Sequence, residues 1–335
     1  MAAVEKPDAA AVERELAALR TGAALSPLSE RMVLAARGAD RATFLQGMLS
    51  NEVVKLEPGH GTHALLLTEQ GRVVADLCVL VLEDAIWLDL PASSRERVRM
   101  ALERFVVADD VEFDELSLSG MALRGPGAEA VLVEVLGAGV GTLAEGAHVE
   151  VPRGGVSVRV ARLAEFGARG FHIWSAEEDC EDALALELLG GGAVSVGPDA
   201  SEVFRIANGW AREGVDYDAQ TLAAEIPSLA RAVSYRKGCY LGQEVMERIA
   251  ARGHVNWRLV RLTGEPGAVL TPGTPLRDGD TEVGRVTCAA VLPDSGRPIG
   301  LARVRATAAS DGTRLVALDG DRPVTVEVTA TPAAE

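Results

Sequence analysis

The sequence predicts an α+β protein that ends in a small all-β barrel or sandwich. Three observations point there. From Met32 to about Leu90, strand-like runs alternate with a helix-like stretch. From about Asn256 to Val328, short β-like runs are separated by proline and glycine turns (EPG, LTPGTP, DGD, DSGRP, SDG, DGDRP), the pattern of a small closed or sandwiched β-fold. The chain has 335 residues, enough for two or three domains with a sizeable core, and its 48% hydrophobic and 24% charged residues suit a soluble globular protein.

Taken in order, residues 10–20 (AAVERELAALR) have helical spacing and read as a peripheral helix in an N-terminal extension over 1–29. MVLAARG and THALLLTEQGRVVADLCVLVLEDAIWLDL read as strands, with hairpin turns at EQG (69–71) and EDA (83–85), and DRATFLQGML reads as a helix. SSRERVRMALERF has a hydroxyl start and three-to-four apolar spacing, which predicts a helix. More strands are expected through Val133, then a glycine-rich loop over 137–146 that would split the first region near 135–150. HVEVPRGGVSVRVARL reads as a hairpin turning at Gly154-Gly155, and EDCEDALALELLGGG and SEVFRIANGW as helices. The clearest domain boundary falls near residue 255, separating a region over 30–255 from the barrel over 256–330.

Composition narrows the function. The longest apolar run, Leu77 to Leu82, is far short of the roughly 18 residues a membrane span needs. The acidic N-terminus lacks the pattern of a secretory signal, so a cytoplasmic location is expected. A formal charge of −16 and 4% aromatic residues argue against a general nucleic-acid surface. The four cysteines are scattered, and no HxxxH or HExxH pattern occurs, so no protein-built metal site is expected.

The stretch KGCYLGQE (237–244) stands apart. QEVMERIAAR places Val245, Met246, Ile249 and Ala250 on one helical face, with Gly253 as its stop. Gly238 and Gly242 therefore flank a turn that feeds a helix N-terminus, with Cys239 in the turn beside Lys237. Positive charge and a helix N-terminus both favour a thiolate, although an isolated cysteine is more often simply packed. Between Arg231 and Arg261 seven basic residues face two acids, a basic island in an acidic chain. It suits either a small anionic ligand or ordinary surface pairing.

These residues resemble a known family. KGCYLGQE is similar to the KGCYxGQE signature of the YgfZ-type folate-binding proteins, relatives of the glycine-cleavage T-protein, an aminomethyltransferase. RGADRATFLQGMLSNEV (37–53), LLLTEQGRVVADLCVLV (65–81), RIANGWAREGVDYD (205–218) and PIGLARVR (298–305) resemble further family segments in family order. The resemblance implies a T-protein-like ring of three subdomains, the last a β-barrel, with tetrahydrofolate or a one-carbon derivative in a central channel. It also implies a role in assembly or repair of iron–sulfur clusters in client enzymes, including tRNA-modifying ones. Folate and iron–sulfur client proteins are the implied partners, with neither nucleic acid nor membrane bound directly. The alternative is a folate-dependent aminomethyl or methyl transferase.

Two departures from the T-protein matter. Its pair of adjacent aspartates reads Ala75-Asp76 here, and Ala207 stands where a glutamate holds the pterin. On this reading Cys239 is the functional thiol, Lys237 its activator or an anion contact, and Asp76 the remaining channel acid. Asn51, Arg205, Tyr240, Gln243, Glu244, Arg248 and Arg252 are the candidates for folate binding. Structural roles stay open: Asn51 as a turn residue, Arg205 as a tie between subdomains, Tyr240 as a core edge, Gln243 and Glu244 at the helix start, and Arg248 and Arg252 in surface pairs. Asn208 or Glu225 could stand in for the missing pterin acid.

Overall fold

The computed structural model describes residues 8–166, 168–253, 255–319 and 322–329. The chain opens with helix α1 (Ala9–Thr21), capped by the Asp8 carboxylate, and strand β1 (Ala24–Pro27). A five-stranded antiparallel sheet follows, built from β2 (Arg31–Arg37), β3 (Gly61–Leu67), β4 (Val73–Val81), β5 (Ile86–Pro91) and β6 (Glu112–Leu116) in the order β3-β4-β5-β2-β6. Helix α2 (Arg41–Met48) lies between β2 and β3, and α3 (Arg95–Glu103) follows β5. In α3, Val98 and Leu102 are one helical turn apart and both fully buried, which docks the helix on the sheet.

A second sheet has the order β11-β1-β7-β10-β9-β8. Its strands after β1 are β7 (Ser119–Arg124), β8 (His148–Arg153), β9 (Val156–Arg162), β10 (Gly170–Ser175) and β11 (Val194–Ser195). Helices α4 (Ala128–Leu136) and α5 (Glu178–Gly190) accompany it. Three sequence expectations change here. The first thirty residues are no separate extension, because β1 is hydrogen-bonded inside this sheet between β7 and β11. The stretch ending at Val133 is helical: Ala128, Val131 and Leu132 bury at three-to-four spacing, and tertiary burial overrides the β-preference of the valines. The change of sheet falls between Leu116 and Ser119, while glycine-rich 137–146 is a loop within the second sheet's own layer.

Helix α6 (Pro198–Ala207) then leads through a long irregular segment to α7 (Gln243–Arg252). The chain ends in a closed six-stranded barrel: β12 (Trp257–Gly264), β13 (Pro275–Asp278), β14 (Thr281–Val291), β15 (Pro298–Arg305), β16 (Arg314–Asp319) and β17 (Arg322–Thr329), ordered β12-β15-β14-β13-β16-β17. Leu262, Leu276, Val304 and Leu315 fill it with essentially no exposure. Closure removes the free edges that short strands would otherwise present. The two sheets meet through Leu80, Ala122, Ala161 and Trp174, with Trp87 edge-on to Trp174 at 6.3 Å. No helix among the described residues is long and apolar enough to cross a membrane.

Candidate active site

A cavity of about 350 Å³ opens where the two sheets, α6 and the segment after it converge. Its walls carry Asp76 from β4, Glu30 and Arg31 at the start of β2, Arg205 from α6, and Trp210 and Tyr217 from the following segment. A half-apolar cleft with a few convergent polar groups is the usual form of a small-molecule site.

Asp76 reaches this cleft because of hairpin register. The turn at 68–71 pairs Leu65 with Asp76 and His63 with Cys78, so His63, Asp76 and Cys78 share one face. His63 Nε2 and an Asp76 carboxylate oxygen are hydrogen-bonded. Burial would raise the Asp76 carboxyl, but the adjacent His63, with Arg31 and Arg231 beyond it, holds it below its ordinary value. Asp76 is therefore ionised at neutral pH. Burial and the nearby Asp76 push the Tyr217 phenol well above its usual range, so Tyr217 stays neutral.

Below the cleft runs a buried charge network. Arg31 Nε donates to both carboxylate oxygens of Asp89 at 2.9 and 3.0 Å. His172 bridges Asp89 (3.2 Å) and Glu165 (3.3 Å), and Arg124 binds both Glu165 and Ser26. Burial pulls the His172 imidazolium down, but the two carboxylates more than reverse this and its pKa is raised. Every member is paired, which is what makes so many buried charges tolerable.

Arg205 has the same character. It is 1% exposed and binds Glu202 (2.9 and 2.7 Å), Asp216 (2.5 Å), the Trp210 carbonyl (2.5 Å) and Cys288 Sγ in the barrel (3.2 Å). It is a tie between α6 and β14 that also forms part of the cleft wall. Glu202 is occupied by that contact, and Glu213 by Arg97 and Ser94. The two candidate substitutes for the pterin acid are likewise engaged. Glu225 pairs with Arg303 at 2.8 Å, and the Asn208 amide donates to the Phe204 carbonyl. Ala207 lies outside the cleft lining, its carbonyl accepting from Arg261. Among the cleft carboxylates, only Glu30 has no side-chain partner among the described residues, and it is exposed.

The KGCYLGQE stretch sits elsewhere. The Lys237 ammonium donates to the carbonyls of Gln46 (2.7 Å), Leu49 (2.6 Å) and Asn51 (2.9 Å), at and just beyond the C-terminus of α2. Burial lowers its pKa to about 8. With three donors committed, Lys237 is a structural cap, which corrects its expected role as an anion contact or thiol activator. Gly242 has φ +85°, and a Cβ there would lie 2.5 Å from the Thr68 carbonyl oxygen, so the segment presses directly on the β3–β4 turn. Cys239 projects from this strap and is exposed, but does not line the cleft.

The remaining candidates separate in the same way. Tyr240 is buried, with its ring 5.3 Å from Lys237 Nζ. Gln243 bonds Glu247 and the Tyr240 backbone at the start of α7, while Glu244 and Arg248 are exposed on that helix. The Arg252 side chain lies outside the described residues. Asn51 donates to the His63 carbonyl and accepts from Glu52 N, which fixes a turn. Of the residues expected from sequence, Asp76 and Arg205 line the cleft. Sequence reasoning missed His63, Glu30, Trp210 and Tyr217. The register of the EQG hairpin, which was legible, was enough to bring position 63 to Asp76.

Two antiparallel sheets and a closed barrel around an acid-headed polar cleft define a three-lobed small-molecule-binding class. Residues 4–237 match the GCVT N-terminal domain and residues 258–334 the glycine cleavage T-protein C-terminal barrel domain. The chain belongs to this T-protein family. It is 27% identical over 299 residues to the aminomethyltransferase of Rubrobacter xylanophilus, covering 88% of this chain and 79% of the relative. It is 29% identical over 299 residues to that of Chloroherpeton thalassium, covering 87% and 81%. Its fold is like the crystal structure of glycine cleavage system aminomethyltransferase T from Bartonella henselae, with a TM-score of 0.84 at 22% identity over 96% of this chain and 89% of that one.

Proposed function

We propose that this protein is a tetrahydrofolate-dependent one-carbon transferase acting in the cleft beside Asp76. The observation that carries the reading is the ionised, His63-oriented Asp76 at the head of that cleft. It is supported by the aminomethyltransferase names of the relatives.

The lining suits a reduced pteridine. Trp210, Tyr217 and Phe166 offer apolar faces, and Glu30 offers a carboxylate free to accept from ring N–H groups. Glu30 would take the recognition role left open by Ala207. Tetrahydrofolate, when bound, supplies the nitrogens that accept or release the one-carbon unit. Asp76 holds a negative charge where a substrate amine becomes cationic, or takes its proton. His63 fixes the carboxylate's orientation, and the paired Arg31 and Arg205 keep the walls rigid.

The test is turnover. Purified protein, tetrahydrofolate and a panel of aminomethylated or N-methylated amines should yield methylene-tetrahydrofolate over multiple cycles. Asp76→Asn should lower the rate by about 10²–10⁴-fold. Failure of every donor, or an unchanged rate in Asp76→Asn, counts against the reading.

A second reading, an accessory factor for iron–sulfur proteins of the YgfZ branch, is favoured by the exposed Cys239 within KGCYLGQE. Ala75 and Ala207, which depart from the transferase pattern, also support it. A single thiol completes no cluster alone, so the partner would supply the other ligands. Cys239→Ala would then abolish complementation of an iron–sulfur defect while leaving folate binding intact.

A further inference from the structure

A second cavity, of about 540 Å³, lies on the other side of Asp76. It shares no lining residue with the cleft, yet one hydrogen bond connects the two: Asp76 lines the cleft, and its partner His63 lines the second cavity. The rest of the lining comes from β4 (Cys78), the 143–146 loop, the end of β9 and Arg231.

The polar inventory of this cavity is lopsided. Three arginines, Arg162, Arg169 and Arg231, face one acid, Glu145, in a chain whose net charge is −16. Glu145 accepts from Ala164 N, and Arg162 pairs with Glu129. Arg169 is exposed and has no ion pair among the described residues. Arg231 gives one guanidinium nitrogen to the Ala164 carbonyl and lies 4.4 Å over the Trp210 ring, and its Nε is buried without a partner. His63 Nδ1 is also buried and unpartnered, although the other ring nitrogen is held by Asp76. With Asp76 ionised, the neutral ring carries its proton on Nε2, so Nδ1 is a lone pair in want of a donor. The Cys78 thiol does not compete as an anion, because burial pushes its pKa up.

The geometry points to a binding site for a small amphoteric ligand, an amine bearing a carboxylate, of amino-acid size. The carboxylate pairs with Arg169 and the free edge of Arg231, and the amine N–H donates to His63 Nδ1. When the ligand arrives as an ammonium, one proton passes from its nitrogen to Nδ1 as the Nε2 proton passes to Asp76. One N–H bond breaks at the ligand and one at Nε2; one forms at Nδ1 and one O–H forms at Asp76. Occupancy of the second cavity thereby sets the protonation of the acid in the cleft. This holds with or without folate, so it stands apart from the transferase reading.

The experiment is calorimetry on the full chain without folate, using the common amino acids and N-methylglycine as probes, with acetate and methylamine as the separated halves. The ¹⁵N shifts of the His63 ring are followed alongside. At least one amino acid is expected to bind and to move the Nδ1 resonance, while each half binds at least tenfold more weakly. Arg169→Ala, at an exposed position, should fold normally and lose tenfold or more in affinity. His63→Gln should leave carboxylate pairing in place but remove the preference for the amino acid over acetate. No binding by any amino acid at millimolar concentration overturns the inference. Acetate binding as tightly as the amino acid, or unaltered affinity in Arg169→Ala, does so as well.

Discussion

At the scale of single residues, Lys237 and Cys239 are two positions apart and have opposite fates. Lys237 stabilises the end of α2 through three carbonyls 186 to 191 residues away in sequence, so no local pattern could have revealed its target. Replacing it by methionine leaves those carbonyls short of donors and should cost about 3 kcal/mol in urea unfolding. A change below 0.5 kcal/mol would show that the cap contributes little. Cys239→Ser should stay within about 0.5 kcal/mol of the parent, because its side chain is exposed. A thiol reagent should modify Cys239 first and reach Cys288 only on unfolding, since Cys288 is buried and its pKa is raised to about 12. Equal labelling rates for the two would contradict this placement. Asp76 was legible from sequence because an acid inside an apolar strand needs a reason. Glu30 was not, because an acid between a turn and a strand looks like any solvated residue.

At the scale of elements, strand β8 is joined to β4 of the other sheet by one histidine. His148 Nε2 donates to the Val81 carbonyl at 3.0 Å, and its Nδ1 accepts from Arg159 at 3.2 Å, so the ring is neutral. Burial, reinforced by Arg159, lowers its pKa to about 4 from the ordinary 6.5. The unfolded chain therefore binds more protons between those values. The contribution of His148 is complete above about pH 6.5 and is lost as the pH falls towards 4. His148→Gln, which keeps a donor but cannot titrate there, should show a shallower fall in stability between pH 7 and pH 4.5. Identical slopes would assign the acid sensitivity elsewhere. Most helices and hairpins were legible because their apolar spacing and turn residues agree. Helix α4 was not: its valines carry strand preference, and only the layer beneath Ala128, Val131 and Leu132 settles the outcome.

At the scale of the whole molecule, the three lobes are joined by buried charge. Arg205 connects α6, Asp216 and the barrel, where Thr287 and Cys288 also contact Asp216. Arg205→Met leaves Asp216 buried without its cation and should destabilise the protein by about 3–5 kcal/mol. A loss under 1 kcal/mol would mean that the barrel docks by apolar packing alone. The closing barrel was readable from its turns, and the ring from motif order. The convergence of Glu30, His63 and Asp76 was not, since it depends on how two sheets meet. The central claim is that this convergence holds a reduced pteridine, and titration calorimetry with tetrahydrofolate on the parent and Glu30→Gln tests it most directly. Saturable binding to the parent, weakened about tenfold or more by the substitution, is expected. Absence of heat with the parent, or equal affinity in the two proteins, would contradict it.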